Sequence, residues 1–372
     1  MSPSPQPFLT VDAGLGSRGV QVALAVGEGE TVAVMGPNGA GKSTLFGLCA
    51  GLLRPDGGRV SVGGRVLADA DGTWVPPHRR GVALLAQEPL LFPHLSVLEN
   101  VAFAPRAAGA PRRDARVAAE RWLSEVDAAQ LASRRPAQLS GGQAQRVAIA
   151  RALAADPDVL LLDEPFAALD VSAAPALRRL LRRVLAGRTA LVITHEPLDA
   201  HLLADRVVVL EDGRVAESGP TAELLERPRS PFAAGLAGLN FVSGQTVSRG
   251  TAPASLRVEG LGEVAGTVPD GADAPVPGEE AIAVFRPADV ALFRPESVPH
   301  GSPRNAWRAV VRDLEPRGAQ VRVHCTPRGG AGAAGPALVA DLTPAAAAEL
   351  DLAPGVAVVL VAKAAAVTVY GA

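Results

Sequence analysis

The chain has 372 residues and a formal net charge of −2 at pH 7. This length suits two or three domains, and the nearly balanced charge provides no basic field that would attract nucleic acid. No apolar run reaches the roughly 18 residues that a membrane-spanning helix requires. The composition therefore excludes nucleic-acid binding through a basic surface and predicts a multidomain protein without a membrane span of its own.

A glycine-rich segment joins a predicted strand to a predicted helix near the start of the chain. Residues 30–35 are mostly apolar, and a helical pattern follows from residue 43 to residue 50. The segment between them, residues 36–43, reads Gly-Pro-Asn-Gly-Ala-Gly-Lys-Ser and matches the P-loop pattern at every fixed position. Its backbone N–H groups cradle phosphates, the lysine reaches the β- and γ-phosphates, and the serine hydroxyl ligates Mg²⁺. The predicted nucleotide-binding residues are Gly36, Asn38, Gly39, Gly41, Lys42, Ser43 and Thr44.

Four polar residues each follow a run of apolar residues that predicts a buried strand. Gln87 ends the first of these runs, Asp163 and Glu164 end the second, and His195 ends the third. A carboxylate at the carboxyl end of a strand, such as Asp163, suits coordination of Mg²⁺, and Glu164 suits polarisation of an attacking water. These residues predict hydrolysis of the bound nucleotide.

A second glycine-containing turn opens a later helix. Residues 139–143 read Leu-Ser-Gly-Gly-Gln, and a helical pattern continues from them to residue 153. A Ser-Gly-Gly turn at the start of a helix directs unpaired N–H groups and the positive end of the helix dipole at an anion. This segment therefore predicts a second phosphate-binding element, formed by Ser140, Gly141, Gly142 and Gln143.

Taken together and in this order, the motifs resemble the ATP-binding-cassette (ABC) ATPase family over about residues 8–235. The pentapeptide at residues 139–143 is the specific element, because a P-loop alone also occurs in kinases, GTPases and helicases. The resemblance implies an α/β P-loop ABC nucleotide-binding domain at residues 1–238, with a helical subdomain at about residues 88–155. It also implies ATP and Mg²⁺ as the cofactors.

The same resemblance implies roles for individual residues. Gln87 is the Q-loop glutamine that senses Mg²⁺, the attacking water and the membrane partner, Asp170 is the nucleotide-site aspartate of the D-loop, and His195 is the switch histidine that contacts the γ-phosphate. The implied catalytic residues are Glu164, His195 and Gln87, and the implied Mg²⁺ ligands are Ser43, Gln87 and Asp163.

One departure from the family concerns the adenine base. Members often place an aromatic residue upstream of the P-loop to stack on adenine, but residues 13–17 contain none. Leu15 or Val20 would supply only an apolar contact there. The sequence therefore predicts no stacking partner for the base.

The chain carries one P-loop and one signature pentapeptide, and in this family the signature of one cassette completes the ATP site of another. The resemblance therefore implies a head-to-tail homodimer, with ATP between the P-loop of one subunit and Ser140 of the other. Residues 88–101 resemble the segment through which importer ATPases contact a permease, with an internal core turn as the alternative. The implied partners are integral membrane permease subunits at the cytoplasmic face of the membrane and, through them, an extracytoplasmic substrate-binding protein.

Two further regions follow the cassette. Residues 239–300 are rich in glycine, serine, threonine and valine and show short strand patterns, which predicts a linker and an accessory β region. Residues 301–372 resemble the molybdate-binding Mop domain, a small TOBE-like β-barrel related to the OB fold. The C-terminal region is therefore expected to be all-β and OB-like. By this resemblance the candidate oxyanion ligands are Ser302, Arg304, Asn305 and Lys363.

One of the two Mop motifs is incomplete, because Lys363 is followed by Ala364 and Ala365 and the usual hydroxyl is missing. A turn with a strand cap is the alternative interpretation of the other motif. The resemblance implies an ABC importer ATPase for molybdate or tungstate, with the oxyanion also bound at residues 301–372. Import of sulfate or thiosulfate, ferric iron or polyamine stays open, as does a soluble regulatory ABC ATPase that acts without a permease.

Overall fold

The computed structural model describes residues 7–167, 173–247, 254–269, 274–297, 304–328 and 335–372. The chain divides into two compact units, one that ends at Leu224 and one that begins at Leu225. Among the described residues, no helix combines the length and the apolar character that crossing a bilayer requires.

The first unit is built on two sheets. In chain order its strands are β1 (Leu9–Leu15), β2 (Val20–Val26), β3 (Thr31–Met35), β4 (Gly57–Val62), β5 (Arg65–Asp69), β6 (Val82–Leu85), β7 (Val159–Asp163), β8 (Ala190–Ile193), β9 (Arg206–Glu211) and β10 (Arg214–Pro220). The first sheet is antiparallel, with strand order β2-β1-β4-β5. The second sheet has the order β10-β9-β3-β8-β7-β6 and is parallel except at its β10 edge.

Helices cover both faces of the parallel sheet. The described helices of this part of the chain are α1 (Lys42–Ala50), α2 (Val97–Ala107), α3 (Arg112–Glu125), α4 (Gly141–Ala154), α5 (Ala174–Leu185), α6 (Pro197–Leu203) and α7 (Thr221–Glu226), the last of which contains the boundary between the units. Leu161 of β7 shares a core with Phe46 of α1, whereas the next residue, Leu162, shares a second core with Ile149 of α4. Strands buried on both faces read as continuous apolar runs, which explains why β3, β7 and β8 contain almost no polar residue.

Helices α2, α3 and α4 form a helical subdomain between β6 and β7 in the chain. Val101, Leu123 and Ile149, one from each helix, belong to one buried core. Helices α2 and α4 both begin with a capping box, in which a serine side chain and a residue three positions later satisfy each other's backbone N–H groups. This arrangement lies within the region from which the sequence predicts a helical subdomain.

The carboxyl ends of β3, β7 and β8 meet at one edge of the parallel sheet. Ile193 of β8 pairs with Val34 of β3 on one side and with Asp163 of β7 on the other. Because the three strands are parallel, the residues that follow them lie side by side, which is where ligands bind in open α/β sheets. This edge carries the candidate site.

The second unit is mainly β, and its described helices, α8 (Pro231–Leu236) and α9 (Pro344–Glu349), are short. Its strands are β11 (Asn240–Thr246), β12 (Ala254–Val258), β13 (Gly262–Gly266), β14 (Glu280–Phe285), β15 (Val290–Phe293), β16 (Asn305–Arg317), β17 (Gln320–Pro327), β18 (Leu338–Leu342), β19 (Ala357–Ala362) and β20 (Thr368–Gly371). They form two five-stranded sheets, ordered β13-β12-β11-β14-β20 and β15-β19-β16-β17-β18.

The boundary predicted at residue 301 lies inside this unit. Strand β14 pairs with β20, and β15 pairs with β19, so residues on both sides of the boundary build both sheets. Their apolar side chains also share one core, to which Val242 and Trp307 both belong. Residues 240–293 are therefore an integral part of the C-terminal β unit, because their strands complete its sheets. The sequence, in contrast, predicts a linker and an accessory region at residues 239–300.

The second unit repeats one topology twice. Strands β11–β15 and β16–β20 each consist of three strands, a fourth strand, a short 3₁₀ turn and a fifth strand, and α9 is an addition in the second copy. The fifth strand of each copy pairs with the fourth strand of the other copy. Arg286 and Lys363 occupy the matching position immediately before the two 3₁₀ turns. This exchange of strands makes the two copies one folding unit.

Two asparagines at the starts of β11 and β16 tie the copies together. The Asn305 Nδ2 donates to the carbonyl oxygen of Ala265 at 2.8 Å, and the Ala265 N–H donates to Asn305 Oδ1 at 2.7 Å. Asn240 makes the matching pair of bonds with Val339, at 2.9 and 2.7 Å. Each asparagine therefore pairs through its side chain with the third strand of the other copy.

Candidate nucleotide site

The P-loop follows β3 and depends on glycine at two positions where the chain packs closely. Gly36 has φ 145°, and a Cβ atom there would lie 2.2 Å from the carbonyl oxygen of Leu210. Gly41 has φ 101°, and a Cβ atom there would lie 2.9 Å from Val20 Cγ2. A side chain at either position would strain the backbone and collide with its neighbour. Glycine at both positions therefore allows the loop to adopt this conformation before α1.

Lys42 is the first residue of α1 and is buried. Its ammonium group donates to the carbonyl oxygens of Gly36 at 2.7 Å and Pro37 at 2.9 Å. Burial lowers the pKa of Lys42, while the negative charges of Glu164 and Asp163 oppose this shift. The positive charge is therefore held against the loop that the sequence predicts to cradle phosphates.

Glu164 lies at the centre of the three predicted catalytic residues. His195 Nε2 is 2.9 Å from Glu164 Oε1, and Gln87 Nε2 donates to Glu164 Oε2 at 3.3 Å. The backbone N–H of Glu164 donates to the Ile193 carbonyl at 3.1 Å. The structure thus brings Gln87, Glu164 and His195 together, although they lie just after three different strands, β6, β7 and β8.

Asp163 lies next to Glu164 at the end of β7. Burial, and then the neighbouring charge of Glu164, raise the pKa of Asp163, whereas Lys42 and His195 act in the opposite direction. A cation close to Asp163 would favour its ionised form. Carboxylate, hydroxyl and amide oxygens are ligands of Mg²⁺, so the donor set of Asp163, Ser43 and Gln87 fits that ion chemically.

A cavity of about 400 Å³ lies between the P-loop and the ends of β7 and β8. Eight of its lining residues belong to the predicted site. Six are predicted nucleotide-binding residues, namely Asn38, Gly39, Gly41, Lys42, Ser43 and Thr44, and the other two are Asp163 and Glu164. Val20, a predicted apolar contact for adenine, also lines it. Arg18 lines it too, although no motif identified in the sequence includes that residue. The feature that could have indicated it is its position in the turn before β2, directly after residues 13–17, which contain no aromatic residue.

The signature segment lies at a different cavity of the same chain. Ser140 caps α4, where its hydroxyl accepts from the Gln143 N–H at 3.4 Å, and it lines a cavity of about 270 Å³ together with Gly142 and Gln143. Among the described residues, none lines both this cavity and the P-loop cavity. The structure therefore does not bring Ser140, Gly142 and Gln143 to the P-loop of their own chain; Asp170 lies outside the described residues.

The predicted oxyanion ligands of the second unit do not form one cluster in the described structure. Asn305 is fully buried, and its amide is occupied by both bonds to Ala265. Its role is structural, because an amide that pairs with a strand cannot also face a ligand. Arg304 and Lys363 are exposed, and Ser302 lies outside the described residues.

Comparison with known proteins identifies relatives of both units. The ABC transporter family matches residues 20–167, and the TOBE domain matches residues 301–369. The Molybdenum import ATP-binding protein ModC of Mycobacterium tuberculosis is 51% identical over 356 residues, which cover 93% of each chain. The Fe(3+) ions import ATP-binding protein FbpC of Streptomyces coelicolor is 40% identical over 310 residues, which cover 83% of this chain and 82% of the relative.

A solved structure supports the fold of the first unit. The cbiO1 protein of Clostridium perfringens, described as part of the ABC transporter complex cbiONQ, is 29% identical in sequence and superposes with a TM-score of 0.54. The match covers 60% of this chain and 92% of the cbiO1 chain. Together with the site geometry, these similarities show that the chain belongs to the ABC transporter family of ATP-binding proteins.

Proposed function

We propose that this chain is the ATP-hydrolysing subunit of an ABC importer for molybdate or tungstate. The observation that carries the proposal is the similarity to a molybdenum import ATP-binding protein over 93% of the chain. A match of that extent includes most of the second unit. The motifs in residues 301–372 of that unit are the sequence feature that separates a molybdate importer from importers of other substrates.

The arrangement around Glu164 supports hydrolysis of ATP. Glu164 accepts the proton of the attacking water or orients that water, and its carboxylate is held from both sides by His195 and Gln87. Lys42 and the N–H groups at the start of α1 bind the β- and γ-phosphates. When bound with ATP at Ser43, Gln87 and Asp163, Mg²⁺ neutralises charge on the phosphate oxygens.

A second copy of the chain is proposed to complete the site. Ser140 and Gly142 lie at a cavity separate from the P-loop cavity of their own chain. A cap at the start of a 14-residue helix presents N–H groups and a positive dipole end to an anion. In a head-to-tail homodimer, these groups would meet the γ-phosphate held by the P-loop of the partner.

The proposed assembly includes membrane proteins. The cassette would bind permease subunits at the cytoplasmic face of the membrane, and an extracytoplasmic binding protein would deliver the oxyanion to them. Support comes from the import function named for both curated relatives. A ferric-iron, sulfate or polyamine importer is the alternative within this class, and a soluble regulatory ATPase is the alternative outside it.

Transport by a reconstituted complex tests the proposal. The full chain and the membrane protein that co-purifies with it are placed in liposomes, and ATP-dependent uptake is measured for molybdate, tungstate, sulfate, ferric iron and spermidine. Uptake of molybdate or tungstate is expected, and Glu164→Gln should abolish it. Uptake of another substrate alone would replace the molybdate assignment, and purification of the chain without any membrane protein would favour the soluble regulator.

The second unit is proposed to bind the same oxyanion through Arg304 and Lys363. The pairing of Asn305 with Ala362 places these two residues at neighbouring strand ends, and cationic donors bind oxyanions through charge-assisted hydrogen bonds. Calorimetric titration of the full chain with molybdate tests this idea, with the exposed Arg308→Ala as control. Unchanged binding in an Arg304→Ala/Lys363→Ala chain would contradict it.

A further inference from the structure

Arg18 is a cation in the wall of the nucleotide cavity without a role in the chemistry described above. It lines the same cavity as Lys42 and Ser43, and its Nη1 donates to the Thr44 hydroxyl at 3.4 Å. The hydrolytic groups, in contrast, gather around Glu164. Arg18 and Glu164 therefore mark different parts of one cavity.

The turn that carries Arg18 has a fixed position. At its start, the Gly16 N–H donates to Asp56 Oδ2 at 2.8 Å. At its end, Gly19 has φ 63° and its N–H donates to the Gly16 carbonyl at 3.1 Å. Just beyond, the Gln21 N–H donates to the Gly213 carbonyl at 2.8 Å. Because separate loops hold both ends, the backbone of Arg18 is positioned before any ligand binds.

The same turn packs directly against the P-loop. Val20 lies so close to Gly41 that a Cβ atom on the glycine would be 2.9 Å from Val20 Cγ2. The residue two positions before Val20 is thus adjacent to the loop that cradles the phosphates. The Arg18 side chain, which lines the cavity, therefore lies beside the loop that is proposed to hold the nucleotide.

The chemistry of Arg18 suits an aromatic ring more than a phosphate. It is exposed and forms no ion pair within the described part of the chain, unlike Arg178, Arg206 and Arg322. No aromatic side chain is among the described residues that line the cavity. A guanidinium is planar and delocalised, and it stacks on aromatic faces. Lys42 and the loop N–H groups already supply the phosphate contacts.

We propose that Arg18 is a base-binding residue, whose guanidinium stacks on the purine ring of the bound nucleoside triphosphate. The assignment rests on the proposed ATPase function and adds to it the way the base is held. A planar, delocalised side chain is what the stack requires. A tyrosine at position 18 should therefore replace arginine, whereas a lysine should not.

Binding measurements separate contact with the base from contact with phosphate. The full chain in a Glu164→Gln background, which limits hydrolysis, is titrated calorimetrically with ATP and with inorganic tripolyphosphate. We expect Arg18→Ala to raise the Kd for ATP about tenfold, which corresponds to about 1.4 kcal/mol, and to leave the Kd for tripolyphosphate unchanged. Arg18→Tyr should restore the affinity for ATP, and Arg18→Lys should not. Arg65→Ala, an exposed arginine of β5 outside the cavity, is the matched control.

Three results would overturn the assignment. Equal weakening of ATP and tripolyphosphate binding by Arg18→Ala, with affinity kept in Arg18→Lys, would make Arg18 a phosphate ligand. Parental ATP affinity in Arg18→Ala would leave it without a role, while the ATPase function stands. Absence of ATP binding by the parental chain would remove the ATPase function and this assignment together.

Discussion

Glu164 combines a strained backbone with a carboxylate that two other residues hold. Its φ of 45° lies in the left-handed region, where a residue that is not glycine costs about 1–3 kcal/mol. The bond from its N–H to the Ile193 carbonyl and the contacts of its carboxylate with His195 and Gln87 maintain this conformation. Such a residue is oriented before substrate arrives, which is what a group that positions water requires.

Glu164→Gln should therefore stop turnover and leave nucleotide binding largely intact. The amide keeps the size of the side chain but cannot accept a proton from water, and general-base catalysis contributes about 10²–10⁴-fold to rates. Phosphate release should fall by that order, and ATP should hold the chain as a dimer on a sizing column. Hydrolysis near the parental rate would remove Glu164 from the mechanism.

The residues that could be predicted from the sequence are those whose chemistry depends on local spacing. Lys42 and Ser140 belong to short motifs in which neighbours along the chain supply the groups that are predicted to bind phosphate. Arg18 and Asn305 acquire their roles from Thr44 and Ala265, which are distant in sequence. The residue types alone therefore could not show that Arg18 lines the nucleotide cavity, or that the Asn305 side chain pairs with a strand.

At the scale of elements, apolar runs predicted the parallel strands because such strands are buried on both faces. The hydrogen bonds from Arg80 to the last turn of α1 could not be predicted in this way. Arg80 is buried, and its guanidinium donates to the carbonyls of Leu48 at 2.7 Å and Cys49 at 3.2 Å, at the C-terminal end of the helix. A cation there complements the negative end of the helix dipole. A buried arginine whose partners lie about 30 residues earlier gives no local signal in the sequence.

A cross-strand ion pair should make the second unit sensitive to acid. Arg322 on β17 donates two hydrogen bonds of 2.8 Å to the carboxylate of Asp341 on β18. The hydrogen bonds from Arg322 hold the pKa of Asp341 below its usual value. A carboxyl with a lowered folded-state pKa contributes stability above its unfolded pKa of about 3.9, and this contribution is lost as the pH falls from there through the folded pKa.

Asp341→Asn should therefore reduce stability at neutral pH and flatten its decline below about pH 4. Urea unfolding followed by Trp307 fluorescence measures this, in a chain whose Trp74 and Trp122 are replaced by phenylalanine. The exposed Glu349→Gln in the same unit is the control and should keep the parental pH profile. A profile that is equally steep with and without Asp341 would show that the pair does not cause the acid sensitivity.

At the scale of the whole molecule, the order of a cassette followed by a β region could be predicted, but the boundary within the β region could not. The strand pairs β14–β20 and β15–β19 join residues that are about 70–90 positions apart. Composition and local patterning contain no information about such pairing, so residues 240–293 read as a separate region. The same limit applies to the signature segment, whose position relative to the P-loop depends on the fold of the entire first unit.

The separation of Ser140 from the P-loop cavity of its own chain leads to a prediction about mixed dimers. If sites are shared head to tail, a dimer of one Lys42→Ala chain and one Ser140→Arg chain has one site with both defects and one site with none. ATP hydrolysis should then reappear on mixing, although each variant alone is inactive.

Lys42→Ala mixed with Glu164→Gln is the matched control, because both residues belong to the P-loop side and every mixed dimer keeps a defect at each site. Recovery in the first mixture alone is expected from phosphate-release assays, with mixed dimers verified by two affinity tags. Equal inactivity of both mixtures, with mixed dimers present, would place Ser140 outside the partner's site.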